Sequence, residues 1–270
     1  MEIAIDFGIT NTDILVSNKT ERIYSSIPSE EINDNFLKKI FELTKLDSNK
    51  IKKIAVTGGK SANLNNTFKD IPIFKVNEVE AIGLGAKDLY NINNEKFVVI
   101  SAGTGTGCVF YDKKNYQYLG GISIGGGALQ GLSNLLINTS DIHEIEKLSN
   151  EGNRKNIDHL IGEVVNDIGF LNPSITASNF VKAKEIKNHN PKDVAASLTN
   201  MIGEVIGTTA YLNAILAGVD KVYFLGRLSL SKTIKEAIDQ RLKLANINGI
   251  YEENREYGNV LGALACIQTK

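Results

Sequence analysis

Residues 97–111 read Phe-Val-Val-Ile-Ser-Ala-Gly-Thr-Gly-Thr-Gly-Cys-Val-Phe-Tyr, and this stretch guides the interpretation of the rest of the sequence. Two runs of apolar, β-branched and aromatic residues flank alternating glycine and threonine, a pattern that predicts a buried β-hairpin with a tight turn. Because glycine has no Cβ, the backbone amides of this turn can converge on an anion such as a phosphate, and the threonines add hydroxyl donors. For one such loop alone, a turn without any ligand is an equally good interpretation.

The beginning of the chain repeats this pattern. Residues 3–6 (Ile-Ala-Ile-Asp) and 13–16 (Asp-Ile-Leu-Val) predict two strands, joined by a turn that contains Gly8 and Thr10. A carboxylate at a strand end supplies an oxygen ligand for hydrated Mg²⁺, and the adjacent turn supplies hydrogen-bond donors for phosphate groups. Two hairpins of this kind predict two related halves that close on one nucleotide.

Composition favours a small-molecule ligand. The 270 residues include 30 Lys and Arg against 31 Asp and Glu, so the formal net charge of −1 gives no electrostatic reason to expect nucleic acid or an anionic membrane as a partner. No stretch approaches the roughly 18 consecutive apolar residues of a membrane span, and no basic segment opens the chain. We therefore expect a soluble, cytoplasmic protein. Cys108 and Cys266 are too few for a disulfide framework.

The remaining pattern alternates strands and helices, which predicts an α/β protein. The polar segment 91–95 is the expected boundary between an N-terminal lobe, residues 1–94, and a C-terminal lobe, residues 95–270. A long helix is bracketed by Asn190 as cap and Gly218 past its end. Further strands are predicted at 22–26, 51–56, 73–76 and 221–225, and further helices at 30–46, 77–88, 128–137, 141–170 with an interruption at 151–154, 176–185, 227–244 and 258–265.

Several other stretches are candidates for a functional site. Glu78 and Glu80 begin a predicted helix, where a carboxylate acts as a helix cap or dipole partner, or else as a general base for a hydroxyl group; both interpretations stay open. The glycines between 120 and 127 precede another helix and form a third candidate loop for an anion or a substrate. Gly226 ends a buried strand, where a ligand ring can lie on bare backbone. Residues 57–61 (Thr-Gly-Gly-Lys-Ser) are not expected to be a P-loop, because Ile54 stands where that motif needs glycine.

The order and spacing of these motifs resemble the type II pantothenate kinases, bacterial relatives of the eukaryotic pantothenate kinases, over nearly the whole chain. The motifs are Ile5-Asp6-x-Gly8-x-Thr10, Thr57-Gly58-Gly59, Glu78-x-Glu80-Ala81, Gly103-Thr104-Gly105-Thr106, Gly120-Gly121-Ile122-x-x-Gly125-Gly126-Gly127 with Gln130-Gly131-Leu132, Gly152-x-Arg154-x-x-Ile157-Asp158, Ser178-Asn179-Phe180, Glu204-Val205-Ile206 and Gly262-Ala263-Leu264.

The resemblance implies the actin-like ATPase (ribonuclease H-like) fold, with two lobes and a nucleotide cleft between them. It also implies phosphorylation of pantothenate with ATP and Mg²⁺, in a homodimer. Asp6 would hold the water shell of the metal, and Glu78 would be the catalytic base. The residues implied in nucleotide binding are Gly8, Thr10, Asn11, Gly103, Thr104, Gly105, Thr106, Gly125, Gly126, Gly127 and Gly226. Those implied in substrate binding are Glu78, Thr104, Tyr118, Gly120 and Gly121.

Four positions depart from the family pattern. Ile9 replaces the second glycine of the first loop, and Asp13 replaces a lysine, which reverses the sign of an interaction with a triphosphate. Tyr118 stands where the family places an arginine that binds the pantothenate carboxylate, and Gly107 replaces a hydroxyl-bearing residue. These changes keep two alternatives open: a kinase for another hydroxyl compound, such as pantetheine or a sugar, and a nucleotide-binding protein without catalysis.

Overall fold

The computed structural model describes residues 1–18, 21–166, 172–185 and 187–268. Two separate sheets flank a central cleft, and each carries helices on its faces. No helix within these residues is long and apolar enough to span a bilayer.

The first sheet is built from the N-terminal part of the chain. Its order is β3-β2-β1-β4-β6-β5, with β1, β2 and β3 antiparallel and β1, β4 and β6 parallel. The inner strands are almost fully buried because their side chains are apolar on both faces. The strands are β1 (Glu2–Phe7), β2 (Asn11–Ser17), β3 (Arg22–Pro28), β4 (Lys53–Thr57), β5 (Thr67–Phe68) and β6 (Ile71–Lys75).

The second sheet repeats this plan. Its order is β9-β8-β7-β12-β13, with β7, β8 and β9 antiparallel and β7, β12 and β13 parallel. The strands are β7 (Phe97–Ala102), β8 (Thr106–Tyr111), β9 (Tyr116–Ile122), β12 (Lys221–Leu225) and β13 (Asn248–Ile250). The hairpins β1–β2 and β7–β8 occupy the same place in the two sheets, as the repeated sequence pattern predicts.

Helices cover these sheets. They are α1 (Asp34–Leu43), α2 (Glu78–Leu89), α3 (Gly126–Ile137), α4 (Ile142–Glu151), α5 (Ile161–Val164), α6 (Pro191–Ala217), α7 (Lys232–Lys243) and α8 (Gly258–Gln268). The predicted long helix is α6, and the side chain of Asn190 caps its first turn while Gly218 ends it with a left-handed backbone. Gly203 and Gly207 let α7 pack closely, because a Cβ at either position would lie within 3 Å of α7 atoms.

The last helix, α8, packs on α2 and on strands β1, β2 and β4 of the first sheet. A Cβ at Gly262 would lie 1.7 Å from the carbonyl oxygen of Ala81, so the two helices touch through their backbones. The division into residues 1–94 and 95–270 separates the two sheets, but the chain returns to the first one at its end. The division itself stays a proposal.

Two helix predictions are wrong. Residues 155–166 form a 3₁₀ turn, the short strand β10 (His159–Leu160) and the single turn α5 instead of continuing a helix, and residues 167–170 of that prediction lie outside the described residues. Residues 176–185 form β11 (Thr176–Ser178) and a 3₁₀ turn. The buried carboxylate of Asp158 accepts hydrogen bonds from the Phe180 amide and the Ser197 hydroxyl, so tertiary contacts override the local helical pattern.

Candidate active site

The turns of the two corresponding hairpins face each other across the cleft. We call residues 8–10 the first turn and residues 103–105 the second turn. The hydroxyl oxygens of Thr10 and Thr104 lie 3.0 Å apart, and both turns line the same cleft, whose volume is about 1350 Å³. The predicted common cavity is therefore present, with one turn contributed by each sheet.

The tips of both turns carry backbone amides without backbone partners. Within the described residues, no backbone hydrogen bond uses the amides of Gly8, Ile9 or Thr10, nor those of Thr104 and Gly105. An N–H group in this state must face water or a ligand, and clustered amides of this kind form anion sites. These groups can bind a phosphate chain.

Three glycines predicted to bind the nucleotide lie behind the second turn and support it. The amide of Gly126 donates to the carbonyl oxygen of Gly103 at 2.8 Å, and that of Gly127 donates to Thr104 at 3.0 Å. A Cβ at Gly125 would lie 2.6 Å from the carbonyl oxygen of Thr104. The amides of Gly126 and Gly127 are therefore already engaged and are not free donors to a phosphate, while the binding of the nucleotide by these glycines stays a prediction.

Other predicted residues have mixed positions. The Thr106 hydroxyl donates to the carbonyl oxygen of Ile124 at 2.8 Å, so it holds the hairpin in place. Asn11 lines the cleft at the start of β2. Gly226 also lines it, with a positive φ of 88°, and a Cβ there would lie 2.3 Å from the carbonyl oxygen of Ala102, so only glycine fits this close approach.

Asp6 lies at the end of β1, directly opposite Asp13 in the antiparallel pairing of β1 and β2. Burial raises the pKa of the Asp6 carboxyl to about 7, and the negative charges of Asp13 and Glu78 add to this increase. A hydrogen bond from Asn259 and the positive charge of Arg227 act in the opposite direction. Asp6 is thus a carboxylate that gains from a nearby cation.

The surroundings of Asp6 fit a hydrated magnesium ion. Gly58, with φ of 74°, makes room for the carboxylate, since a Cβ there would lie 2.3 Å from Asp6 Oδ1. No group of three or more His, Cys, Asp or Glu side chains in the described part of the chain forms a complete metal site. Mg²⁺ commonly uses one or two carboxylates together with water and substrate phosphates, so one carboxylate beside two phosphate-binding turns is a suitable donor set.

The charge of Asp13, one of the departures from the family pattern, is paired. Arg227 donates from Nη1 to Asp13 Oδ2 at 2.9 Å and from Nη2 to Asp13 Oδ1, and Nη2 also donates to the Ser26 hydroxyl at 2.8 Å. Burial disfavours the guanidinium charge, but the hydrogen bond and the charge of Asp13 outweigh it and raise the pKa of Arg227. Asp13 therefore presents an ion pair to the cleft instead of an isolated negative charge.

The structure separates the two candidate bases at the start of α2. The side chain of Asn77 caps the helix by accepting from the Val79 amide at 2.9 Å, so neither Glu78 nor Glu80 fills that role. Glu78 is exposed and lines the cleft, whereas Glu80 is absent from its lining. Of the two carboxylates, Glu78 is the one that lines the cleft, and its role as a base stays a prediction.

Tyr118 and Gly107, two further departures, form one feature. The ring of Tyr118 lies 3.7 Å from the position of a Cβ at Gly107, and its hydroxyl lies 2.5 Å from that of a Cβ at Gly121. Small residues therefore make room for the tyrosine, which is 58% exposed and lines the cleft. Gly120 has a positive φ of 105° but does not line the cleft. Among the described lining residues, Arg227 is the only lysine or arginine.

Sequence patterns missed several residues that line the cleft. Asn259, at the start of α8, also accepts a hydrogen bond from the Ser101 hydroxyl at 3.1 Å. No local signal distinguishes such residues, because they enter the site from distant helices. The others include Gln130, His143, Glu146, Leu230 and Ser231.

Comparison with known proteins gives a consistent family assignment. The sequence profile of the Fumble family matches residues 11–243. A type II pantothenate kinase of Bacillus cereus is 31% identical over 279 residues, which cover 99% of this chain and 98% of the relative. A type II pantothenate kinase of Staphylococcus haemolyticus is 27% identical, with 98% and 99% of the two chains covered.

Solved structures show the same fold at low sequence identity. The activator of the 2-hydroxyisocaproyl-CoA dehydratase from Clostridium difficile, solved with ADPNP, has a TM-score of 0.65 and 17% identity, with 100% of this chain and 97% of that chain covered. A ROK family glucokinase from Streptomyces griseus, solved with glucose and AMPPNP, has a TM-score of 0.62 and 12% identity, with 100% and 99% covered. The predicted actin-like ATPase fold is confirmed.

Proposed function

The chain belongs to the Fumble family, that of the type II pantothenate kinases, and we propose that it phosphorylates pantothenate with ATP, the first step of coenzyme A synthesis, in the cytoplasm. The observation that carries this proposal is the facing pair of turns, whose unpartnered amides share a cleft with Asp6 and Glu78. Hydrogen-bond donors to the phosphates, a metal ligand and a base are the groups that hydroxyl phosphorylation requires.

Each group has a separate task in the proposed reaction. The amides of the first and second turns bind the phosphate chain of ATP, and Asp6 would hold the water shell of a magnesium ion. When bound, that ion would supply positive charge against the phosphates. Glu78 accepts the proton of the substrate hydroxyl. The oxygen of that hydroxyl attacks the γ-phosphorus, and the bond between the γ-phosphorus and ADP breaks.

The test measures ADP release from Mg²⁺-ATP by the purified protein with pantothenate, with pantetheine and with a panel of sugars. We expect turnover with pantothenate, and a fall of roughly 10²–10⁴-fold in kcat for Glu78→Gln with little change in ATP affinity. Glu80→Gln is the matched control, since Glu80 lies two residues away and outside the cleft. Nucleotide binding without turnover of any alcohol would support a non-catalytic nucleotide-binding protein and contradict the proposal.

An uncharged acceptor is a second candidate, and one observation favours it. The pantothenate carboxylate needs a cation when it leaves water, yet the described lining residues include a single lysine or arginine, Arg227, for both the phosphate chain and the acceptor. Pantetheine lacks this charge. If pantetheine is the preferred acceptor, its kcat/KM exceeds that of pantothenate, and Tyr118→Arg shifts the ratio back toward pantothenate.

We also propose that the protein is a homodimer. The end of α6 exposes Leu212, Ile215 and Leu216, and the contacting helix α3 exposes Leu135 and Leu136. Two apolar stretches on neighbouring helices suit a self-complementary interface between copies of this chain. Sedimentation velocity should give the mass of a dimer for the natural sequence and of a monomer for Leu212→Lys/Leu216→Lys. A monomeric natural protein would contradict the proposal.

A further inference from the structure

Arg227 connects the two halves of the molecule at the cleft. It follows Gly226, whose backbone packs against Ala102 just before the second turn. From there its side chain reaches across to Asp13 on β2 of the first sheet. The guanidinium group therefore lies between the bases of the two hairpins that carry the phosphate-binding turns.

The guanidinium group is held in place by its neighbours, but some of its N–H groups have no hydrogen-bond acceptor in the described part of the chain. Asp13 accepts two hydrogen bonds from it, Ser26 accepts a third, and the ring of Tyr257 lies 5.7 Å from Arg227 Cζ. Nε and the second N–H of Nη1 have no hydrogen bond to the residues that the structure describes. The side chain remains 34% exposed, whereas that of Asp13 is 8% exposed. A positioned cation thus keeps unused donors and an open face.

We propose that Arg227, held in place by Asp13, is the residue that binds the phosphate chain of the nucleotide through a positive charge. Asp13 acts as a positioning residue. Because Arg227 follows β12 after Gly226, this positive charge comes from the second sheet. The inference rests on the proposed function insofar as both require a nucleotide in the cleft.

The charges around the cleft support this role. Asp6, Asp13, Glu78, Glu146 and Glu256 all line it, and no second lysine or arginine does so among the described residues. A nucleoside triphosphate carries several negative charges, and a partly buried guanidinium forms charge-assisted hydrogen bonds with phosphate oxygens. Without Arg227, the triphosphate would enter a cleft whose ionised side chains are acidic.

The first test compares the affinities of ATP, ADP and adenosine by isothermal titration calorimetry, with Mg²⁺ present and acceptor absent. Arg227→Met keeps much of the side-chain volume and removes the charge. We expect its ATP affinity to fall roughly 10–100-fold, the range for a lost charge-assisted hydrogen bond, and its adenosine affinity to change less than about twofold. Arg22→Met is the control, because Arg22 pairs with Asp88 outside the cleft. We expect this variant to bind all three ligands with the affinities of the natural protein.

The second test moves the cation. Asp13→Lys alone places two positive charges together and removes the partner that positions Arg227, while Asp13→Lys/Arg227→Ser leaves a single cation, carried by the first sheet. We expect the double variant to recover ATP affinity to within about fivefold of the natural protein, although it has no bridge between the sheets. Failure to recover, with thermal unfolding showing a folded protein, would mean that the pair is only a structural bridge and would overturn the inference.

The outcomes separate this inference from the proposed function. If the natural protein binds no nucleotide at millimolar concentration, the proposed function fails with it. If the natural protein binds ATP and turns over an acceptor while Arg227→Met binds ATP equally well, only the role of Arg227 is refuted. Equal losses for ATP and adenosine would likewise refute a phosphate contact.

Discussion

The hairpins β1–β2 and β7–β8 share one backbone plan but differ in the chemistry at the ends of their strands. In the first hairpin, Asp6 faces Asp13 in the strand pairing; in the second, Ser101 faces Gly107. The backbone plan alone supplies amide donors twice, once at each turn. Metal chemistry needs side chains, and only the first hairpin has the carboxylates for it.

The turns also differ in their support. Ile9 at the first turn is 83% exposed, and a helix start packs directly behind the second turn through Gly126 and Gly127. We infer that the second turn is held rigidly before the nucleotide arrives, while the first turn carries the ionic groups. The following predictions test that division of roles.

Asp6→Asn should have the largest effect. Without a carboxylate for the hydrated magnesium ion, kcat/KM should fall on the order of 10²–10³-fold, as for other losses of transition-state charge stabilisation. The matched control is Ser101→Ala at the corresponding place in the second hairpin, which should cost less than about fivefold. Steady-state ADP release at saturating Mg²⁺ measures both. Similar losses in the two variants would contradict a specific metal role for the first hairpin.

The second largest difference is expected between the ATP affinities of Gly8→Ala and Gly103→Ala. A Cβ at Gly8 would lie 2.5 Å from the carbonyl oxygen of Asn11, whereas the nearest atom to a Cβ at Gly103 lies 3.9 Å away. The first substitution must therefore distort its turn, at a cost of about 1–3 kcal/mol, and weaken ATP binding about tenfold or more. The second should change ATP affinity less than about threefold. The reverse order would show that the second turn makes the closer approach to the phosphates.

Much of this arrangement follows from local sequence signals. The alternating glycine and threonine of both turns, the strand runs around them and the cap residues of α6 act over a few residues, so the hairpins and the long helix are predictable. The choice between Glu78 and Glu80 is different: sequence alone leaves it ambiguous, and only the structure shows that Asn77 caps α2 and that Glu78 lines the cleft.

Other features depend on contacts between distant parts of the chain. Asp13 and Arg227 are far apart in sequence, and nothing local indicates that one neutralises the other. The helical pattern of residues 176–185 fails because Phe180 donates its amide to the buried carboxylate of Asp158. From the sequence, the amides of Gly126 and Gly127 look free to donate to a phosphate. In the structure, they donate to carbonyl groups of the second turn.

The raised pKa of Asp6 predicts a pH dependence that belongs to the first hairpin alone. The folded protein holds the proton up to about pH 7, whereas the ordinary value for the unfolded chain is 3.8. The contribution of Asp6 to stability therefore falls as pH rises from 3.8 to 7 and is level above that. Because metal binding needs the ionised carboxylate, Mg²⁺-ATP affinity should rise by up to about tenfold per pH unit until pH 7.

Calorimetric titration between about pH 5.5 and pH 8 measures this effect. Asp6→Asn provides the control, because protonation of the nucleotide's phosphates affects its binding to the variant and to the natural protein alike. The variant should lose the excess pH dependence. At the upper end of this range its nucleotide-free form should also melt at a higher temperature than the natural protein, since it no longer holds a buried negative charge. An unchanged pH profile in Asp6→Asn would place the titrating group elsewhere.

The smallest predicted effect concerns the contact that joins the two turns. The hydroxyls of Thr10 and Thr104 form one hydrogen bond at an exposed position, so their coupling should be only about 0.5–1 kcal/mol. A double-mutant cycle with Thr10→Val and Thr104→Val in denaturant unfolding measures it without nucleotide. If both hydroxyls exchange this bond for phosphate oxygens, the coupling should approach zero at saturating Mg²⁺-ATP. A coupling that persists undiminished would mean that the nucleotide leaves the contact intact, so the two turns would bind it without separating.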